Sequence, residues 1–316
     1  MNKKTNNTNV TRRTALKGIG AGVGTLAATG LLPGTMGFAQ AQSSAPIKIG
    51  FQKHATGIGS AYGRWYDATT QAAVKRINDA GGINGRPVEV VIEDDGTDPK
   101  RGAEVLEKFA NQHKVDVAFG TLFSHVVIGS APRAAELKLP YFVVSEGHHV
   151  ASGMLNRYTI QPGITDVKSQ VQSMAPFVGN NLGKKVTMIF PDFAFGHDHR
   201  DFFTKAIEAQ GGQVVAQIAV PPANNSAFDT NFRAAVGVDD RGASLADSKD
   251  VSTYAHMFGC WETLNVIKAG METSGYQGPA DRAKLIEAVE AMTDMPHSDD
   301  HPQGPKLFNG KTHQVF

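Results

Sequence analysis

A single cysteine, Cys260, stands in 316 residues. It excludes an internal disulfide and any thiolate-built zinc or iron–sulfur site within one chain. Tryptophan is nearly as scarce, with two residues, and aromatics make up 8% of the chain. Acidic residues are missing altogether from positions 1–41, which carry Lys3, Lys4, Arg12, Arg13 and Lys17. The chain's net charge is +1, so the remainder is mildly acidic, at about −4. A body of that sign with no basic stripe argues against nucleic acid as a partner. Catalytic signatures are also missing: there is no Gly-x-Ser-x-Gly elbow, no P-loop and no His-Glu-x-x-His. No internal repeat of solenoid period is present. What is there, 41% hydrophobic and 19% charged residues, is the balance of a globular protein long enough for two domains.

Residues 1–41 read as an address. Thr11-Arg12-Arg13-Thr14-Ala15-Leu16-Lys17 precedes a Gly/Ala/Leu-rich run, and Ala39-Gln40-Ala41 offers a small-x-small cleavage site. This order is that of a secretory signal, and the paired arginines are those of a twin-arginine route, with Ala15 where Phe is usual. Seven glycines between Gly18 and Gly37 disfavour a soluble helix here. The run is also too short and Gly-rich for a membrane anchor, and no later stretch spans a bilayer. The expected mature protein starts near Gln42, outside the inner membrane, in the periplasm.

From Ile47 onward strands and helices alternate. Strands are expected at Ile47–Phe51, Pro87–Ile92, Val115–Gly120 and Pro140–Val144, with helices at 61–80, 99–113 and 125–137 between them. Continuous apolar strands at this spacing predict parallel βαβ crossovers with helices on both faces. A second series comes next: helix 166–178, strand 185–190, helix 196–209 and strand 213–220. Then the alternation lapses. Residues 226–236 begin a helix that no strand follows, and 237–250 read as loop. Helices are expected again at 251–273 and 281–292, and 296–316 reads as mostly irregular. The fold class is α/β, with two doubly wound parallel-sheet lobes, the second incomplete. The domains expected are 42–157 plus 251–295 for the first lobe and 158–236 for a truncated second.

Ligands of open parallel sheets bind beyond the carboxyl ends of the strands. Four strand-end loops stand there: Thr56–Gly63, Asp94–Thr97, Gly120–Ser124 and Ser145–His149. Ser124 and Ser145 place hydroxyls where helices start, which suits an anion, or serves plain N-capping. Gly57-x-Gly59-x-x-x-Gly63 approaches a dinucleotide fingerprint, but its spacing is off by one, and Asp67 and Asp79 lie on the helix rather than at a strand end. His125, His148, His149, His197 and His199, with Asp192 and Asp198, offer either a transition-metal site or ordinary solvated side chains.

Taken together, these stretches resemble one family: type I periplasmic substrate-binding proteins of ABC importers, of the leucine/isoleucine/valine-binding group. The resemblance rests on Ile47–Phe51 with Gly57–Gly63, on Asn78–Pro87 with its Ala-Gly-Gly-Ile-Asn-Gly-Arg-Pro run, and on Glu93-Asp94-Asp95 with Pro99. It continues through Gly120–Ser124 with Pro132, Pro140–Phe142, Tyr158–Gln170, Pro191–Gly196 and the Tyr254–Met271 helix.

The resemblance implies a two-lobed monomeric solute receptor, not an enzyme, that hands an amino acid or related amide to an ABC permease and needs no cofactor or metal. Family proteins close on ligand by hinge bending. Carried over, Tyr62 is a cleft aromatic. Leu122, Phe123 and Ser124 hold the ligand carboxylate, and Ser145, Glu146 and Gly147 meet its ammonium group. Asp166 is a lobe-crossing acid, and Phe195 stands at a cleft tyrosine position. Glu146 and His148-His149 replace smaller residues usual in that loop, which points to a ligand more polar than leucine. Strands and a hinge crossing expected after Phe232 are missing, so an internal deletion is expected near Asn231–Arg241, with weak binding or poor folding as its consequence. Two other readings remain: a metal-assisted hydrolase built on the histidine loops, and a ligand-sensing module on the same fold.

Overall fold

The structure is a computed structural model that describes residues 45–151, 155–220, 254–302 and 305–315. The export segment 1–41, the helix start at 226–236, the loop 237–250 and the expected deletion point at 231–241 lie outside the described residues. The chain divides into 1–41 and a compact unit from Gln42 to Phe316, which holds all the described residues.

Five parallel strands form the main sheet of this unit in the order β2-β1-β3-β4-β5: β1 Ile47–Lys53, β2 Val88–Asp94, β3 Val117–Gly120, β4 Tyr141–Val143 and β5 Thr159–Ile160. The apolar side chains of β1 enter one core, and those of β3 alternate between two. On one face Ile47, Ile49, Phe51, Val117 and Phe119 pack against Tyr66, Val74 and Ile77 of α1 (Ser60–Asp79). The same core takes Leu264 and Ile267 of α7 (Tyr254–Ser274) and Leu285 and Val289 of α8 (Arg282–Glu290). On the other face Ala118, Tyr141 and Val143 meet Val105 and Leu106 of α2 (Pro99–Lys108) and Val127 and Ala134 of α3 (Ser124–Glu136). Helices on both faces explain why these strands read as continuous apolar runs. The α2 helix continues through a wider π turn, Phe109–His113, and ends at left-handed Lys114.

A short helix, α4 (His148–Ala151), leads toward the second series. There α5 (Val167–Phe177) and α6 (Ala194–Glu208) cover one face of two parallel strands, β6 (Lys185–Pro191) and β7 (Gln213–Val220). Their core is small: Val167, Val171, Ala175, Phe203 and Ile207. The outer face leaves Ile189 71% exposed, with Ile218 and Val220 about half exposed beside it. Among the described residues this second sheet has two strands.

The C-terminal stretch, read as mostly irregular, also carries short strands. β8 (Asp294–Met295), β9 (Lys306–Asn309) and β10 (Gln314–Val315) form a small antiparallel sheet. Phe308 and Val315 join the main core. The ammonium of Lys306, whose pKa burial lowers, is paired with the fully buried Glu262 of α7. Strands of two to four residues carry no legible period, and here distant partners define them.

Candidate functional site

The strand order reverses direction between β1 and β3. The crevice at that switch point collects the loops after β1, β3 and β4. The glycines of the first loop serve packing. A Cβ on Gly63 would lie 1.9 Å from the carbonyl oxygen of His54, and one on Gly57 (φ 79°) 2.2 Å from that of Gly96. This accounts for the near-dinucleotide spacing without a phosphate. The turn is fixed by Asp94, which accepts from the N–H groups of Ala55, Thr56 and Gly96 and from the Thr56 hydroxyl. Burial disfavours its charge, but these donors prevail and hold its pKa at about 2.

After β3 the chain turns through Gly120 (φ 117°) and Thr121 (φ 66°), a left-handed pair that throws Leu122, Phe123 and Ser124 over the sheet end. Phe123 is the N-cap of α3, without a side-chain capping bond, and Ser124 is the first helical residue. Neither Ser124 nor Ser145 is therefore an ordinary N-cap. Their hydroxyls instead bond each other at 2.9 Å, both buried. The Ser145 carbonyl accepts from the side-chain amide of Gln161. Gly147 is required by this pair, because a Cβ there would meet the Ser124 Oγ at 2.5 Å. Gly147→Ala is expected to break the serine pair and cost about 1–3 kcal/mol, read by urea unfolding. An unchanged midpoint would show that the loop yields.

A cleft of about 220 Å³ opens above these loops, lined by Tyr62, Leu122, Phe123, Ser124, Glu146, Pro191, Phe193 and Phe195. Six expected residues thus share one hollow. Ser145 and Gly147 lie behind Ser124. Asp166 does not line it. Its carboxylate caps α5 through Ser169 N–H (3.1 Å) and pairs with His148 Nδ1 (2.5 Å), a contact between the β4 loop and the second series. Asp198 of α6 makes a similar bridge, accepting from His148 N–H at 2.8 Å and pairing with His149 Nδ1 at 2.9 Å. Pro191 and Phe193 were not among the expected site residues, although they belong to the Pro191–Gly196 stretch that carries part of the family resemblance. A strand end carrying an aromatic beside Pro is the signal that could have found them.

The walls are aromatic. Phe123 has ring centroids of Tyr62 at 6.3 Å, Phe193 at 5.7 Å and His125 at 5.7 Å, and Phe193 lies 6.1 Å from Phe195. Such edge, tilted and stacked contacts suit a planar or apolar guest. Polar groups join these rings. Ser124 offers a hydroxyl at the start of α3, where backbone N–H groups lack intrahelical acceptors. Glu146 accepts from Gln170 Nε2 at 2.8 Å, yet burial still pushes its pKa up to about 7. Burial and the charge of Glu146 also raise the pKa of Tyr62.

The histidines do not converge. His197 pairs with Asp192, and His199 with the Phe195 carbonyl. Among the described residues no group of three or more His, Cys, Asp or Glu is placed to hold a metal ion. Nor, among them, is any helix long and apolar enough to cross a membrane.

An open parallel sheet with a second βα series across an aromatic cleft defines the class of two-lobed α/β binding folds. The family model described as periplasmic binding protein matches residues 46–237, and the chain belongs to that family. It is 42% identical over 66 residues to Leu/Ile/Val-binding protein homolog 1 of Brucella abortus, covering 21% of this chain and 18% of that one. It is 41% identical over 76 residues to a leucine-, isoleucine-, valine-, threonine- and alanine-binding protein of Pseudomonas aeruginosa, covering 24% and 20%. The matched stretch thus spans about a fifth of these curated relatives. Among solved structures, the fold is similar to a solute binding protein of an ABC transporter from Rhodopseudomonas palustris BisB5 in complex with 3,4-dihydroxybenzoic acid. That match has a TM-score of 0.69 and 18% identity, and covers 86% of this chain and 91% of that one. A branched-chain amino acid transporter substrate binding protein of Streptococcus pneumoniae, in complex with isoleucine, matches with a TM-score of 0.63 and 17% identity, covering 85% and 97%. All four of these are named as binding proteins, the two solved ones as those of transporters.

Proposed function

We propose that this protein captures a small amphipathic carboxylate outside the inner membrane, an amino acid or related amide, and delivers it to an ABC permease. The observation that carries the reading is the cleft itself: a hydroxyl at a helix start and a half-buried acid share it with aromatic walls. The hydroxyl and helix start suit a carboxylate, and Glu146 suits an ammonium group. The family and the Leu/Ile/Val-binding relatives support transport, and the Arg12-Arg13 segment supports export with cleavage near Ala41. A second reading takes an aromatic acid as the ligand. It is favoured by the rings of Tyr62, Phe123, Phe193 and Phe195 and by solved relatives in complex with dihydroxy- and hydroxybenzoic acids.

Titration separates the two. Ionised Glu146 attracts an ammonium, so affinity for an amino acid should rise as pH passes upward through about 7. For a carboxylate without an amine, affinity should fall over the same range, because the like charges repel. Calorimetry with leucine, asparagine and 4-hydroxybenzoate from acid to mildly alkaline pH decides between them. Failure of all three to bind at any pH would defeat both readings.

A further inference from the structure

Behind the cleft stands a side chain that faces no solvent and does not line it. His54, at the end of β1, is 1% exposed. Its Nε2 accepts the backbone N–H of Leu122 at 2.8 Å. Its Nδ1 lies 2.9 Å from the Oδ1 of Asp95, at the end of β2. An imidazole nitrogen that accepts an N–H bond carries no proton, so the ring's proton sits on Nδ1 and is donated to Asp95. Asp95 is itself fully buried and accepts from Gln52 Nε2 at 3.1 Å and from Thr97 N–H at 2.8 Å. Both hydrogen-bond partners of the ring are therefore supplied by neighbouring strand ends.

The Leu122 peptide comes directly after left-handed Thr121, a conformation that costs free energy for a β-branched residue and persists only when its surroundings impose it. The bond to His54 anchors the next peptide. The same imidazole meets the Phe123 ring edge-on, with centroids 5.2 Å apart. One residue thus sets both the backbone of the β3 loop and the ring that walls the cleft.

We infer that His54 is the positioning residue of the ligand cleft: its bond to Leu122 N–H, backed by Asp95, holds the 121–124 turn in the conformation that presents Phe123 and Ser124 to the solute. The inference rests on the binding function proposed for this cleft. A consequence is that Leu122 N–H is already taken and is no donor for an anionic group in the cleft.

The test uses the full chain labelled with ¹⁵N. Long-range ¹H–¹⁵N spectra should show His54 protonated on Nδ1 only, with a scalar coupling from its Nε2 across the hydrogen bond to the Leu122 nitrogen. Calorimetry with leucine and 4-hydroxybenzoate as probes then compares two variants. His54→Leu, which has no acceptor, is expected to weaken binding about tenfold, the loss of one hydrogen bond. His54→Gln, whose Oε1 can accept the Leu122 N–H, should restore affinity to within about threefold, a rescue that mere filling of space would not give. A proton on Nε2, no coupling to Leu122, or equal loss in both variants would overturn the assignment. If wild type binds neither probe, the functional reading fails, while the coupling still decides whether His54 holds the turn. If a variant does not fold, the wild-type spectra decide alone.

Discussion

Glu146→Gln is expected to stabilise the protein by about 2–3 kcal/mol above neutral pH and by almost nothing near pH 4.5. The cause is burial, which raises the pKa of this carboxyl from 4.5 to about 7, only partly offset by the bond from Gln170. Below the unfolded pKa both states hold the proton, and the group does not affect folding. As pH climbs from 4.5 to 7, the unfolded chain releases its proton while the folded one retains it, so stability falls. Above 7 the deficit is constant. Glutamine keeps the neutral shape and never ionises, so the variant should lack this descent. Urea unfolding at several pH values measures it, and parallel stability curves for the two proteins would refute the argument. The same substitution should abolish any rise of amino-acid affinity with pH.

The second large effect is expected at Asp95. Its carboxylate is fully buried and serves three groups at once: His54 Nδ1, Gln52 Nε2 and Thr97 N–H. Asp95→Ala strands these donors in a place water does not reach, at a cost of about 3–5 kcal/mol in total. For a domain of this size that is a fall in Tm of roughly 10 °C. Asp95→Asn, which keeps an acceptor oxygen, should lose about half as much. Calorimetric melting decides, and a loss below about 1 kcal/mol would show that the three donors find other acceptors. Ligand affinity should fall with stability, because the Leu122–Ser124 loop rests on this carboxylate through His54.

Much of the first lobe is legible in the chain alone. Its strands are runs of Val, Ile and Phe, and Gly81-Gly82 marks the end of α1 with two positive φ angles. The strand-end rule and the family resemblance point to the loops holding Leu122–Ser124 and Ser145–Gly147. What stays hidden is of two kinds. Elements of two to four residues, such as β5, β8 and β10, have no period to read. Lys306 and Phe308 sit in a stretch whose Pro, Gly and His content reads as loop, yet one reaches buried Glu262 and the other the main core. The second kind is pairing. His54 and Asp95 lie 41 residues apart, and only adjacency of β1 and β2 turns them into one unit. A histidine just past one strand and an acid just past its parallel neighbour is the available clue.

The sequence by itself determined the alternation of strand and helix, the parallel sheet and the family, because periodicity, glycine stops and run length are local properties of the chain. Tertiary structure alone decided which side chains share the cleft, that Asp166 caps a helix and pairs with His148 instead of lining that cleft, and that Glu146 holds its proton to about pH 7. Those outcomes depend on burial and on partners brought from distant strand ends, and both arise only when the sheet has assembled.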